Sequence, residues 1–264
     1  MAGVQPAATM TAMRLATFNI LHGRSPDDGR VDLDRFASAM RDLDADILAL
    51  QEVDRDQPRS GGADLTAVAA EAMGAVDHRF VAALAGTPGE IWSAATGEEQ
   101  PGSAAYGVAL LSRYPVRSWR RMPLPALRTP VPLRVASRRT PIVVRDEPRV
   151  AVTAVVGTPA GDVTVAATHL SFVPGWNALQ LRRLVRELRA RGGRVVLMGD
   201  LNMGPAQALR VTGMQALATG LTFPVEAPAR QLDHILGRGG LPPRVTAEVH
   251  RLPLSDHAAL SVDL

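Results

Sequence analysis

Apolar runs and alternations divide this chain into short strands, with helices set between groups of them. Residues 14–20 and 106–112 have strand length, and the continuous apolar run 47–50 reaches it with residues 51–53. Residues 150–156 and 162–169 flank the turn at 157–161 and read as a hairpin. Residues 194–198 read as a buried strand, and 79–84, 116–121, 141–144, 245–250 and 258–262 as further strands. Helical spacing appears in Val31, Leu33, Phe36, Met40 and Leu43, and in the Ala-rich stretch 63–73, which Gly74 can stop. It appears again over 176–191, where Leu181, Leu184, Val185 and Leu188 lie largely on one face. A short helix is expected over 204–214, and a surface loop over 86–102, which is rich in Gly, Glu and Pro. Strands outnumber helices, which predicts an α+β fold of two packed sheets covered by helices.

The 264 residues accommodate one large domain or two small ones. We expect a flexible leader over residues 1–13 and a single domain over 14–264. No apolar run has the roughly 18–20 residues of a membrane helix. Residues 1–13 lack the basic and apolar regions of a secretory signal, so a cytoplasmic location is expected. Cysteine is absent, which excludes disulfides, a thiolate zinc site and a cysteine nucleophile. The formal charge is only +3, but every basic residue is arginine. Arginine suits bidentate phosphate binding better than lysine. It clusters over 113–121, 134–145 and 182–194.

Short polar words stand at the ends of several apolar runs: Gln51-Glu52, Thr168-His169, Gly199-Asp200-Leu201-Asn202 and Ser255-Asp256-His257. Strand ends of this kind can converge on one rim of a folded sheet. Asp200 offers a carboxylate that can accept a proton from water, and Asn202 a neutral donor for a phosphoryl oxygen. The same residues also suit a turn that caps the following helix. Glu52 is the kind of carboxylate Mg²⁺ takes, together with water and substrate oxygens. Asn19 ends the first strand. Asp256 beside His257 could ligate a metal, or His257 could touch a phosphate oxygen while Asp233 orients its ring. The histidines show no zinc-type HxH or HExxH spacing.

The order Asn19, Gln51-Glu52, His169, Gly199-Asp200-Leu201-Asn202, Asp233, Ser255-Asp256-His257 resembles the endonuclease/exonuclease/phosphatase superfamily. The segment 106–115 (YGVALLSRYP) and Glu147-Pro148-Arg149 resemble two further family segments. The resemblance implies a four-layer α/β/β/α sandwich of two mixed sheets, with the site at one open end. It implies a Mg²⁺-dependent phosphoester hydrolase. Mn²⁺ is expected to substitute for Mg²⁺, and the chain is expected to be a monomer. Glu52, Asn19 and Asp256 would hold the metal. Asp200 would orient or deprotonate water, Asn202 would hold the phosphate and His169 would stabilise the transition state. His257 would contact the scissile phosphate, oriented by Asp233, and Tyr106 and Arg149 would bind substrate. Leu21, Asp54 and His234 depart from the family's repair nucleases and point away from DNA. Only 4% of residues are aromatic, a poor supply for base stacking. The substrate stays open between nucleic acid, phospholipid headgroup and inositol phosphate. A nonspecific nuclease and a catalytically silent phosphoester-binding protein are the alternatives.

Overall fold

The protein is described here by a computed structural model covering residues 12–127, 129–133, 142–241, 243–244 and 246–264. One sheet runs in the order β14 (Thr246–His250), β15 (Ala259–Asp263), β1 (Arg14–Asn19), β2 (Ile47–Arg55), β5 (Ala105–Ser112), β3 (Asp77–Gly86), β4 (Trp92–Ala94). The other runs β12 (Gln215–Ala216), β13 (Asp233–Arg238), β11 (Val195–Asp200), β10 (Gly161–His169), β9 (Val150–Thr158), β6 (Val116–Pro123). A small ribbon joins β7 (Val131–Leu133) to β8 (Ile142–Val144).

Each large sheet contains one parallel pair, β1 with β2 and β10 with β11; the remaining pairs are antiparallel. A parallel pair needs a crossover. Helix α1 (Leu33–Leu43) supplies one and α3 (Trp176–Ala190) the other. Helices α2 (Leu65–Met73) and α4 (Pro205–Thr212) complete the outer layers.

Side chains alternate along the strands with period two. Leu15, Ile47 and Ala49 therefore meet Val165, Val196 and Met198 between the sheets. Their neighbours Ala16, Phe18, Leu48 and Leu50 pack under Phe36, Met40 and Leu65 of α1 and α2. On the far side, Ala166, Val195 and Leu197 pack under Leu181, Leu184 and Leu188 of α3. The result is the expected α/β/β/α sandwich. Among the described residues, no helix is long and apolar enough to cross a membrane.

The helices α1 and α2 start two residues later than their apolar pattern suggests. Asp32 caps α1 by accepting from the Arg35 N–H, and Asp64 caps α2 by accepting from the Thr66 and Ala67 N–H groups. The stretch 86–102, expected as a loop, carries β4 as an edge strand. Strand β13 is not set apart by the apolar pattern, and two-residue β12 is too short to show a period. Met13, inside the expected leader, is buried and exchanges backbone hydrogen bonds with Leu264. Residues 1–11, 134–141 and 245 lie outside the described residues, and with them most of the leader and of the middle arginine cluster.

Gly199 has no room for a side chain. Its φ is +144°, and a Cβ there would sit 1.9 Å from the Thr168 carbonyl oxygen on the paired strand. Gly199→Ala is expected to cost roughly 3 kcal/mol or more, because backbone strain and a backbone clash add. Chemical denaturation of the variant against the parent checks this.

Candidate active site

The two parallel pairs decide where the polar strand ends go. In the second sheet, His169 is in register with Asp200, and Asp200 with Asp233. Three neighbouring strands thus present functional groups at one level of one rim. From the first sheet, Asn19 is in register with Gln51. The Asn19 Nδ2 donates to Glu52 Oε1 at 3.0 Å and to Asp200 Oδ2 at 3.2 Å, so one amide ties the two sheets together. Its Oδ1 accepts from the Leu21 N–H at 3.2 Å. Gln51 is buried and hydrogen-bonded to Thr17 across the same strand pair.

Glu52 does not end its strand: β2 continues to Arg55. The register against β5 shifts between Gln51 and Val53, so Glu52 is the extra residue of a β-bulge, with φ +57°. A bulge breaks the period-two alternation and re-aims one side chain. Leu21, His22, Asn202 and Ser255 also have positive φ, at 44°, 48°, 50° and 69°. Non-glycine residues in this region cost about 1–2 kcal/mol each, so this rim concentrates backbone strain.

Asp200 Oδ1 accepts from the Asn202 N–H at 2.8 Å. The Asn202 Nδ2 donates to Leu170 O at 3.0 Å and reaches His169 Nε2 at 3.2 Å. Burial holds His169 far below its ordinary pKa, helped by the charges of Arg149 and His257, so the ring is neutral. Burial also raises the Asp200 carboxyl, and the neighbouring Asp233 charge raises it further, to about 7.

His257 Nδ1 donates to Asp233 Oδ2 at 2.8 Å, and both residues are buried. Burial opposes a charged ring here. The Asp233 charge and hydrogen bond outweigh it, with help from Asp200 and Asp256, and raise His257 to about 9. His257 Nε2 then faces Asp200 Oδ2 at 3.9 Å. The Ser255 hydroxyl fixes this loop by donating to Asn19 O at 2.6 Å and accepting from the His257 N–H. His234, next to Asp233, points the other way and donates from Nε2 to Met203 O at 2.9 Å.

These groups open into a cavity of about 600 Å³. Tyr106 and Arg149 line it, as do Glu52, His169, Asp200, Asn202 and His257. Burial raises the Tyr106 phenol well above its ordinary value, as do the Glu52 and Glu147 charges, so it stays protonated. Arg149 is buried, with Nη2 at 3.5 Å from Asp146 and 3.7 Å from Glu147, and it stays charged. Sequence reasoning did not find Arg59, Phe172, Phe223 and Arg230, which also line the cavity. They come from connections between elements and carry no strand-end signal. The Phe223 ring lies 4.7 Å from the His257 ring. Asn19 and Asp233 are buried behind this lining, and Asp256, half-buried, is not part of it.

The donor chemistry fits a hard divalent cation. Burial raises Glu52, the Asn19 hydrogen bond opposes this, and the Asp256 charge adds to the rise. A cation beside Glu52 and Asp256 would relieve both the burial and the repulsion. Ligand atoms of Asp200, Asp233 and His257 also lie within 4.8 Å of one another. There, Asp233 Oδ2 already accepts from His257 and Asp200 accepts at both oxygens, while Asp233 Oδ1 is buried without a hydrogen-bond partner among the described residues.

Residues 16–257 match the sequence model of the endonuclease/exonuclease/phosphatase family. No match is found among the curated proteins compared. Among solved structures, an endonuclease/exonuclease/phosphatase from Beutenbergia cavernae is 26% identical, with a TM-score of 0.70 over 96% of this chain and 71% of that one. Sphingomyelinase C from Streptomyces griseocarneus is 16% identical, with a TM-score of 0.60 over 96% and 98%. A mannosyl-6-phosphatase from Bacteroides thetaiotaomicron is 16% identical, with a TM-score of 0.62 over 95% and 98%. These last two likenesses speak for the fold alone.

Proposed function

We propose, on the premise that this chain belongs to the endonuclease/exonuclease/phosphatase family, that it is a Mg²⁺-dependent hydrolase of phosphoester bonds. The observation that carries this reading is the contact of Asn19 with both Glu52 and Asp200, which joins an acidic metal-type end to a base-and-histidine end. Glu52 and Asp256, with Asn19 beside them, would hold the ion; Mn²⁺ has the same oxygen preference. When bound, the ion would neutralise charge on a phosphoryl oxygen and on the leaving oxygen.

The protein's own groups account for the rest. Asp200, once ionised, takes a proton from the attacking water. Asp233 keeps His257 protonated, and its Nε2–H is aimed at the scissile phosphate as a charged donor. Asn202 and His169 serve the other phosphoryl oxygens. With the His169 proton on Nε2, both nitrogens are donors, and an incoming oxygen between them accepts from both. Arg149 and the Tyr106 hydroxyl bind the substrate nearby.

The fold hosts both a sphingomyelinase and a mannosyl-6-phosphatase, so diesters and monoesters are both within its range. The test is hydrolysis of bis-p-nitrophenyl phosphate and p-nitrophenyl phosphate with Mg²⁺ or Mn²⁺, with and without chelator. A panel of plasmid DNA, inositol phosphates and sphingomyelin follows. Chelator-sensitive turnover of at least one ester is expected. No turnover with either metal would sink the reading and favour a protein that only binds phosphoesters.

A further inference from the structure

Asp54 is the one completely buried carboxylate of β2, and it is spent on an arginine that faces the cavity. Asp54 is 0% exposed. Arg59 Nε donates to its Oδ2 at 2.8 Å and Arg59 Nη2 to its Oδ1 at 2.7 Å. This is a bidentate fork, the geometry that fixes a guanidinium most firmly. The Arg59 side chain is 30% exposed and lines the cavity. Among the described residues, Nη1 has no hydrogen-bond partner.

The setting of Arg59 is rigid. It lies in a single 3₁₀ turn, Pro58–Ser60, between Gln57 and Gly61. Gln57 is buried and donates from Nε2 to Gly86 O at 2.7 Å. Ser60 is buried and its hydroxyl donates to Gln57 O. The Arg59 guanidinium sits 5.5 Å from the centre of the Tyr106 ring, and Tyr106 is in register with Asp54. The fork is therefore held from behind by Asp54 and along one side by Tyr106, and its remaining N–H edge is left for a ligand. Its charge is felt by another lining residue: with burial as the larger cause, Arg59 helps to lower His22 to about 4.

Stability is a poor reason for such a pair. Well-packed apolar residues in place of a buried ion pair are often neutral or stabilising.

We propose that Arg59 is a substrate-binding residue whose Nη1 edge takes an anionic oxygen of the phosphoester, and that Asp54 is the positioning residue that aims it. The proposal rests on the phosphoester reading for the identity of the anion. It adds a cation that no strand end supplies and that belongs to neither Arg149 nor His257.

The test measures binding of inorganic phosphate by calorimetry in the presence of Mg²⁺, so it does not depend on turnover. The double variant Asp54→Leu with Arg59→Met removes the pair without leaving a buried charge. Arg59→Lys keeps Asp54 paired but has no planar fork. A hydrogen bond to a charged group corresponds to roughly 10- to 100-fold in affinity. The double variant, folded by circular dichroism, is expected to bind phosphate at least tenfold more weakly. Arg59→Lys is expected to bind several-fold more weakly, with KM rising in the same ratio on any ester that is turned over. Unchanged phosphate affinity in the folded double variant would overturn the proposal. If that variant does not fold, unchanged affinity in Arg59→Lys overturns it. Phosphate binding that depends on Arg59, in a protein that hydrolyses nothing, would sink the hydrolase reading and keep Arg59 as an anion-binding residue.

Discussion

Asp200→Asn is expected to lower turnover by about 10²- to 10⁴-fold, the range for losing a positioned general base. The same change is expected to help the fold at alkaline pH. Asp200 is raised by burial and by Asp233 to about 7, against an ordinary 3.8. A carboxyl with a raised folded value binds more protons folded than unfolded between those two points. Stability therefore falls as pH rises through that window and stays lower above it. At most this amounts to on the order of 4 kcal/mol, shared with the Asp233 charge. The asparagine variant lacks the titration. Its melting temperature relative to the parent should rise between pH 4 and pH 8 in metal-free buffer. In the parent, the rate should rise with pH through the Asp200 ionisation. It should fall again as His257, raised to about 9, loses its proton. A bound divalent cation shifts the acid limb to lower pH. Melting curves and pH–rate profiles check both halves. A melting difference independent of pH would mean that Asp200 does not carry the buried charge.

Glu52→Gln is expected to abolish both activity and the response to Mg²⁺. In the parent, Mg²⁺ at about 100 times its dissociation constant should stabilise the fold by about 2.7 kcal/mol. For a domain of this size that is a rise of roughly 5–10 °C in melting temperature. In the variant the rise should vanish. In chelator, the variant should melt at or above the parent, because a partly desolvated carboxylate and its repulsion from Asp256 are gone. Differential scanning calorimetry in chelator and in Mg²⁺ separates these outcomes. A full Mg²⁺ response in the variant would remove Glu52 from the ion site and point to Asp200, Asp233 and His257 instead.

The site residues differ in how visible they are in the sequence. Asn19, His169 and Asp200 end apolar runs, and each is the last residue of its strand. Asp233, which opens β13, and His257 gain meaning only together, through a 2.8 Å hydrogen bond across 24 residues of chain. Glu52 looks like a strand end because its run of aliphatic residues stops there. The backbone nevertheless carries on through a bulge, and a bulge is set by pairing with β5, which the run itself does not encode. Arg59, Phe172, Phe223 and Arg230 stand in connections, where no periodicity marks one polar or aromatic residue above its neighbours.

Local pattern therefore determined most of the elements and two packed sheets covered by helices, because burial of one face per strand and one stripe per helix is written into residue spacing. The order of the short polar words carried the family as well. Which groups touch was decided only by the folded sandwich. Two parallel pairs bring strand ends to one rim, a bulge aims Glu52, and a buried Asp54 turns Arg59 toward the cavity. Those contacts join residues far apart in the chain, and their geometry depends on register and on the approach of the two sheets. Neither is a property of any local stretch of sequence.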